Sequence, residues 1–120
     1  MMIFRALAVA LALTGTASAE ELTAELFESL CNGEDMGGVN FCAGYSVGVA
    51  TMLNDRCRLD RKGKGNSEGF LALDLGDKNG FDLVDQFRLK MEDPEFRAQW
   101  GGQPAHYALF FAASEQWPCH

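Results

Sequence analysis

Asn40-Phe41-Cys42-Ala43-Gly44-Tyr45-Ser46-Val47-Gly48-Val49-Ala50-Thr51-Met52-Leu53-Asn54-Asp55-Arg56-Cys57 is the stretch whose reading decides the fold. Phe41, Tyr45, Val49, Met52 and Leu53 recur along one helical stripe, and Asn40 is a residue type that caps helix N-termini. The spacing therefore predicts a central helix from Asn40 to about Cys57. Cys42 and Cys57 stand 15 residues apart on it, which is about 22 Å at ~1.5 Å per residue. That is far beyond bridging distance, so these two cannot pair with each other.

Working outward, Leu22, Leu26, Phe27 and Leu30 fall at helical intervals, which predicts a first amphipathic helix from Glu21 to about Cys31. Asn32-Gly33 and Gly37-Gly38 are expected to stop it. Downstream, Leu83, Val84, Phe87 and Met91 mark the buried side of a third helix over Phe81 to Met91, disrupted by Pro94. Pro94 to Trp100 adds a short helical turn. After Gly101-Gly102 comes a last helix with Pro104 in its first turn, packed through Ala105, Ala108, Leu109, Ala112 and Ala113 and closed by Pro118. Between Arg58 and Gly80 the charged, breaker-rich Arg61-Lys62-Gly63-Lys64-Gly65-Asn66 and the ambiguous Phe70-Leu71-Ala72-Leu73-Asp74-Leu75 read as a long exposed loop with a strand or helical turn inside it. The expected fold class is mostly α: a small disulfide-linked bundle of four to five helices with a long loop after the central helix.

The N-terminal segment sets the compartment. Arg5, an apolar run from Ala6 to Leu13 and small residues ending Ala17-Ser18-Ala19 fit a signal peptide cleaved before Glu20, leaving residues 20–120 as a single domain. Export to the periplasm makes disulfides the expected use of the four cysteines, Cys31, Cys42, Cys57 and Cys119. Of the two connectivities left, Cys31–Cys42 suits an antiparallel hairpin across a short glycine-rich turn. Cys57–Cys119 then pins the C-terminus to the far end of the central helix. Two such staples matter in a domain near the lower size limit for a self-sufficient core.

Together, these residues resemble a known family. The run Cys42-Ala43-Gly44-Tyr45-Ser46-Val47-Gly48-Val49-Ala50, a preceding helix ending in Cys31, a following Cys57, and an alanine-rich helix ending Trp117-Pro118-Cys119 are similar to the Rap/Tai family of type VI secretion immunity proteins. Phe81 to Met91 followed by Asp93-Pro94-Glu95 matches that family's third helix and its Pro-containing exit. The stretch between Cys57 and Phe81 departs from the pattern, being longer and richer in glycine. The resemblance implies a helical, disulfide-linked periplasmic homodimer that neutralises a secreted peptidoglycan amidase effector. Such an inhibitor needs no catalytic residue and no cofactor; it needs a rigid scaffold that plugs the hydrolase cleft.

Charge and motifs narrow the alternatives. The chain carries a formal −7, and removal of Arg5 with the leader makes it about −8, which disfavours nucleic acid and anionic membrane surfaces and favours a cationic partner. Gly44-Tyr45-Ser46-Val47-Gly48 matches the nucleophile elbow G-x-S-x-G, but inside a helical stripe with no strand before it. There the two glycines, one turn apart, are expected to let a neighbouring helix approach. His106 has no nucleophile beside it in sequence and reads as a partly exposed structural histidine. The cysteine spacings of 10, 14 and 61 intervening residues contain no C-x-x-C pair, which argues against zinc. Asp77-Lys78-Asn79-Gly80 resembles part of a calcium loop but puts Leu75 and Gln86 where an Asp and a bidentate Glu are needed, so it reads as a turn into the third helix. Trp100 and Trp117 read as core or dimer contacts.

No metal site, cofactor or enzymatic activity is expected. The exposed face from Arg58 to Asn79 is the expected contact surface, carried by Arg58, Asp60, Arg61, Lys62, Lys64, Asn66, Glu68, Asp77, Lys78 and Asn79. Two other readings stand beside the inhibitor. One is a periplasmic chaperone like the small acid-stress proteins of that compartment. The other is a cell-envelope protein of the same fold without an effector.

Overall fold

The computed structural model describes residues 21–61 and 71–120. The segment expected to be a signal peptide and Lys62, Lys64, Asn66 and Glu68 lie outside them, as does the side chain of Arg61. The described residues form five helices: α1 (Ala24–Asn32), α2 (Met36–Arg61), α3 (Gly80–Met91), α4 (Pro94–Trp100) and α5 (Ala105–Ala113). The protein is a mostly helical bundle held by two disulfides, Cys31–Cys42 and Cys57–Cys119, with Cα–Cα distances of 5.1 and 5.6 Å.

Helix α1 begins at Ala24 rather than Glu21. Thr23 is extended, and its Oγ1 accepts a hydrogen bond from the Leu26 N–H at 3.2 Å, capping the helix. The same residue bridges to Pro104, and the Ala24 N–H donates to the Gln103 carbonyl at 2.9 Å, so the chain entering α1 is tied to the chain entering α5.

Helix α2 differs most from expectation. It starts at Met36 and runs 26 residues to Arg61, about 39 Å at ~1.5 Å per residue. Asn40 lies inside it. The N-terminal cap falls to Asp35, whose Oδ2 accepts from the Gly38 N–H at 3.3 Å. Gly37-Gly38 does not break the chain, because Gly38 serves packing. A Cβ there would lie 3.3 Å from both the Leu30 carbonyl and the Leu30 Cδ2, so glycine lets the two helices close tightly enough for Cys31 and Cys42 to bridge. The contacts Cys31–Cys42 and Phe27–Tyr45, the latter with ring centroids 5.1 Å apart, run in opposite senses along the chain and make the hairpin antiparallel.

The buried arc of α2 is also rotated from the expected stripe. Cys42, Ser46, Val49, Ala50, Leu53 and Cys57 are buried, whereas Phe41 and Met52 are 46% and 37% exposed. The helix buries its arc between α1 and α3, and small or hydrogen-bonded residues fit that contact better than the bulkier Phe41.

Asn79 and Asp82 form a capping box at the start of α3. The Asn79 Oδ1 accepts from the Phe81 and Asp82 N–H groups, and the Asp82 Oδ2 accepts from the Asn79 N–H at 2.9 Å. Leu83, Val84, Phe87 and Met91 are all buried, as their spacing predicts. Asp93 caps α4 with Pro94 in its first turn. Arg97 of α4 donates to the Glu28 carboxylate of α1 at 2.7 Å and to the Met91 carbonyl at 3.1 Å. On α5, Ala105, Ala108, Leu109, Ala112 and Ala113 are buried as expected. Phe27, Leu53, Leu83, Phe87 and Leu109 meet at the centre of the core. Burying each such side chain contributes roughly 1.5–3 kcal/mol. Trp100 stacks on Phe111 with centroids 4.1 Å apart, and both tryptophans pack against the core.

Residues 71–75, within the expected loop after the central helix, are buried or half-buried where exposure was expected. Ala72, Leu73 and Leu75 are buried. The Leu73 N–H donates to the Leu53 carbonyl, the Asp74 N–H to the Trp117 carbonyl, and the Leu75 N–H to the Asn54 Oδ1. Leu73 also bridges to Pro118, one residue before the Cys119 disulfide. Residues 71–75 are thus an extended strap clamped between α2 and the C-terminal tail. Among the described residues there is no strand.

Candidate partner-binding surface

Of the residues expected to contact a partner, Arg58 and Asp60 stand on the last turns of α2 rather than on a loop. Arg58 is exposed and pairs with Asp55 at 2.7 Å, an i,i+3 contact on the helix surface worth little on its own. Asp60 is half-buried and already engaged within the chain. Arg61 is the final residue of α2. Asp77 and Lys78 are exposed on the tight turn after the strap, where the Lys78 N–H donates to the Leu75 carbonyl at 2.8 Å and Gly76 takes the left-handed position at φ +57°. Asn79 is committed to capping α3, so its side-chain oxygen serves the fold first.

The structure gathers part of this set around a cleft of about 190 Å³ between the middle of α2 and the entry to α3. Thr51, Asn54 and Asp55 form one wall, and Leu75, Lys78 and Asn79 the other. Arg58 joins it through Asp55. Lys78 has no ion-pair partner among the described residues, so its ammonium is available at the rim opposite Asp55. Thr51, Asn54 and Asp55 were not expected here. Their only signal in sequence is the i,i+3 spacing of Asp55 and Arg58, because the strap that forms the opposite wall reaches α2 through non-local hydrogen bonds.

A second cleft of about 120 Å³ lies on the other side of the α2–α3 contact, with Ser46, Phe81, Val84, Asp85 and Arg88 in its lining. Arg88 donates across its floor to the Cys31 carbonyl at 3.0 Å. Between the clefts Gly80 presses on α2, where a Cβ would lie 2.6 Å from the Val47 nitrogen. Both cavities are smaller than the roughly 300–1,000 Å³ of drug-sized ligand pockets. They have the size to receive single side chains of a protein partner.

The elbow sequence has a different geometry from a nucleophile turn. Ser46 lies mid-helix, is 0% exposed, and its Oγ donates to the Cys42 and Ala43 carbonyls at 2.8 and 3.1 Å. Gly44 and Gly48 are exposed with nothing within 4 Å of an added Cβ, so among the described residues they do not admit a neighbouring helix. His106 is half-buried, and its backbone hydrogen-bonds Tyr45. Burial pushes the Tyr45 phenol above its ordinary value, and that hydrogen bond opposes the shift. Among the described residues no three His, Cys, Asp or Glu side chains are placed to hold a metal ion, and no helix is long and apolar enough to cross a membrane.

Comparison with protein-family models, with curated proteins and with solved structures found no match.

Proposed function

We propose that this protein is a periplasmic immunity protein that binds and inhibits a peptidoglycan amidase effector of type VI secretion, and that it acts as a homodimer. The observation that carries the reading is the cysteine frame. The four cysteines of the family-like pattern close two bridges, one locking the α1–α2 hairpin and one locking the strap and tail to the end of α2. Disulfides persist in oxidising compartments, which suits an exported protein meeting an effector in the periplasm. A doubly stapled scaffold loses little freedom on docking, and preorganisation is what a protein inhibitor needs for affinity. Its contact surface is the charged rim from Arg58 and Asp55 across to Asp77 and Lys78, where a cleft opens beside a rigid helix.

The test is inhibition. Purified oxidised protein is used to capture partners from periplasmic extract and from neighbouring-gene products at neutral pH. A single peptidoglycan amidase captured in stoichiometric amount and abolished in its cell-wall hydrolysis supports the reading; capture of no amidase, or of one that keeps full activity in excess protein, overturns it. A chaperone reading draws on a different observation, the large exposed apolar side chains Met36, Phe81 and Leu89. A chaperone of that kind binds many unfolded clients and loses its dimer or compactness as carboxylates are protonated. An inhibitor keeps its fold and binds one partner.

A further inference from the structure

We infer that Phe81 is the anchor by which this protein docks on its partner, and that the partner offers an apolar pocket with a basic rim. The inference rests on the inhibitor reading above and extends its contact surface from the Asp77–Lys78 turn past Gly80 to the start of α3.

Three observations converge on Phe81. First, it is a large aromatic side chain left 61% exposed, although the neighbouring positions of α3, Leu83 and Val84, are buried. Aromatic side chains that fill a pocket on association dominate binding energy, and one held in water is available for that use.

Second, its position is fixed. The capping box of Asn79 and Asp82 brackets it, with the Phe81 N–H itself donating to the Asn79 Oδ1 at 2.9 Å. The preceding Gly80 is wedged against the backbone of α2 at Ser46 and Val47. The backbone carrying the ring is therefore locked before any partner arrives, which lowers the ordering cost of association.

Third, the surrounding charge has a negative excess. Asp85 is one turn along the same face of α3, Asp82 is adjacent, and exposed Asp77 lies across the turn. Lys78 on the turn and Arg88, which lines the same cleft as Phe81 and Asp85 and donates to the Cys31 carbonyl, carry the opposing charge. Three carboxylates against two cations around a protruding ring, in a chain of net −7, complement a cationic rim and speed encounter with it. A second copy of this chain carries the same negative excess, so charge favours a basic partner over self-association through this patch.

The experiment compares wild type, Phe81→Ala and the double reversal Asp77→Lys/Asp85→Lys against the peptidoglycan amidase sought among neighbouring-gene products and periplasmic partners, reading Kd and association rate, with urea denaturation as the check on folding. Phe81→Ala keeps the fold, because the ring is mostly in water, and weakens binding about 30-fold or more, the scale of a hot-spot residue. The double reversal slows association and removes most of its salt dependence. A wild type that inhibits while Phe81→Ala binds equally well overturns this inference and leaves the inhibitor reading standing. A wild type that does not inhibit overturns both. A concentration-dependent dimer in sedimentation that Phe81→Ala abolishes, with amidase binding unchanged, assigns the patch to self-association and likewise overturns the inference.

Discussion

Replacing either of two glycines by alanine should move stability in opposite directions, and the contrast tests how α3 is seated on α2. At Gly80 an added Cβ lies 2.6 Å from the Val47 nitrogen, 2.7 Å from the Ser46 carbonyl carbon and 2.7 Å from the Val47 Cα. All three atoms are backbone in the middle of a helix locked by a disulfide at either end, so the methyl group cannot be accommodated by a rotamer change. Overpacking of this kind costs about 1–3 kcal/mol. The loss of chain freedom in the unfolded state offsets about 0.4–1 kcal/mol of that. The net expectation for Gly80→Ala is a destabilisation of about 1–2 kcal/mol. In a domain of this size each kcal/mol lowers Tm by roughly 4–8 °C. At Gly48, mid-helix and facing solvent, an added Cβ meets nothing within 4 Å, so Gly48→Ala should stabilise by about 1 kcal/mol through helix propensity alone. Urea denaturation of the oxidised variants, followed by far-UV circular dichroism, separates the two. If Gly80→Ala is as stable as Gly48→Ala, α3 does not rest on α2 as described.

Other expectations follow from the same contacts. The bridges span 11 and 62 residues, for which the loop-closure relation gives about 2.8 and about 4.3 kcal/mol. Replacing Cys57 and Cys119 by alanine should therefore cost more than replacing Cys31 and Cys42, as measured by denaturant midpoints; the reverse order would contradict the strap's dependence on the C-terminal bridge. Thiol titration of the oxidised protein in denaturant should find no free cysteine. Because burial holds the Tyr45 phenol above its ordinary 10.0, the folded state keeps a proton that the unfolded chain releases. That stabilising contribution is complete below about pH 10 and is lost as pH rises through the raised value. Tyr45→Phe should flatten the alkaline limb of the stability curve, and parallel limbs would refute this. Ser46→Ala should leave inhibition unchanged, since the hydroxyl serves only the Cys42 and Ala43 carbonyls; a loss of activity in a folded variant would reopen a role for it.

Much of the fold was legible because its signals are local. Leu83, Val84, Phe87 and Met91 declare α3 by spacing alone, and Pro94 and Pro104 mark the entries to α4 and α5. The impossibility of a Cys42–Cys57 bridge follows from helical rise. What escaped depends on contacts between distant residues. Gly37-Gly38 read as a breaker because nothing nearby in sequence shows that Leu30 will pack against Gly38. The strap read as an exposed loop because its hydrogen bonds go to Leu53, Asn54 and Trp117, none of them a neighbour in the chain. For the same reason half of the cleft was missed: Lys78 and Asn79 were expected at the surface, whereas Thr51, Asn54 and Asp55 join them only once the strap has crossed α2. Asn79 was read as a contact residue, and its Oδ1 proved to be the α3 cap.

The measurement that tests the central claim most directly is a titration of the oxidised protein into the peptidoglycan amidase sought among neighbouring-gene products and periplasmic partners, with cell-wall hydrolysis as the readout at neutral pH. The account predicts a linear fall in activity that reaches zero at a fixed stoichiometry, with one amidase recovered in the complex. Undiminished hydrolysis at a large molar excess of folded, fully oxidised protein would contradict it.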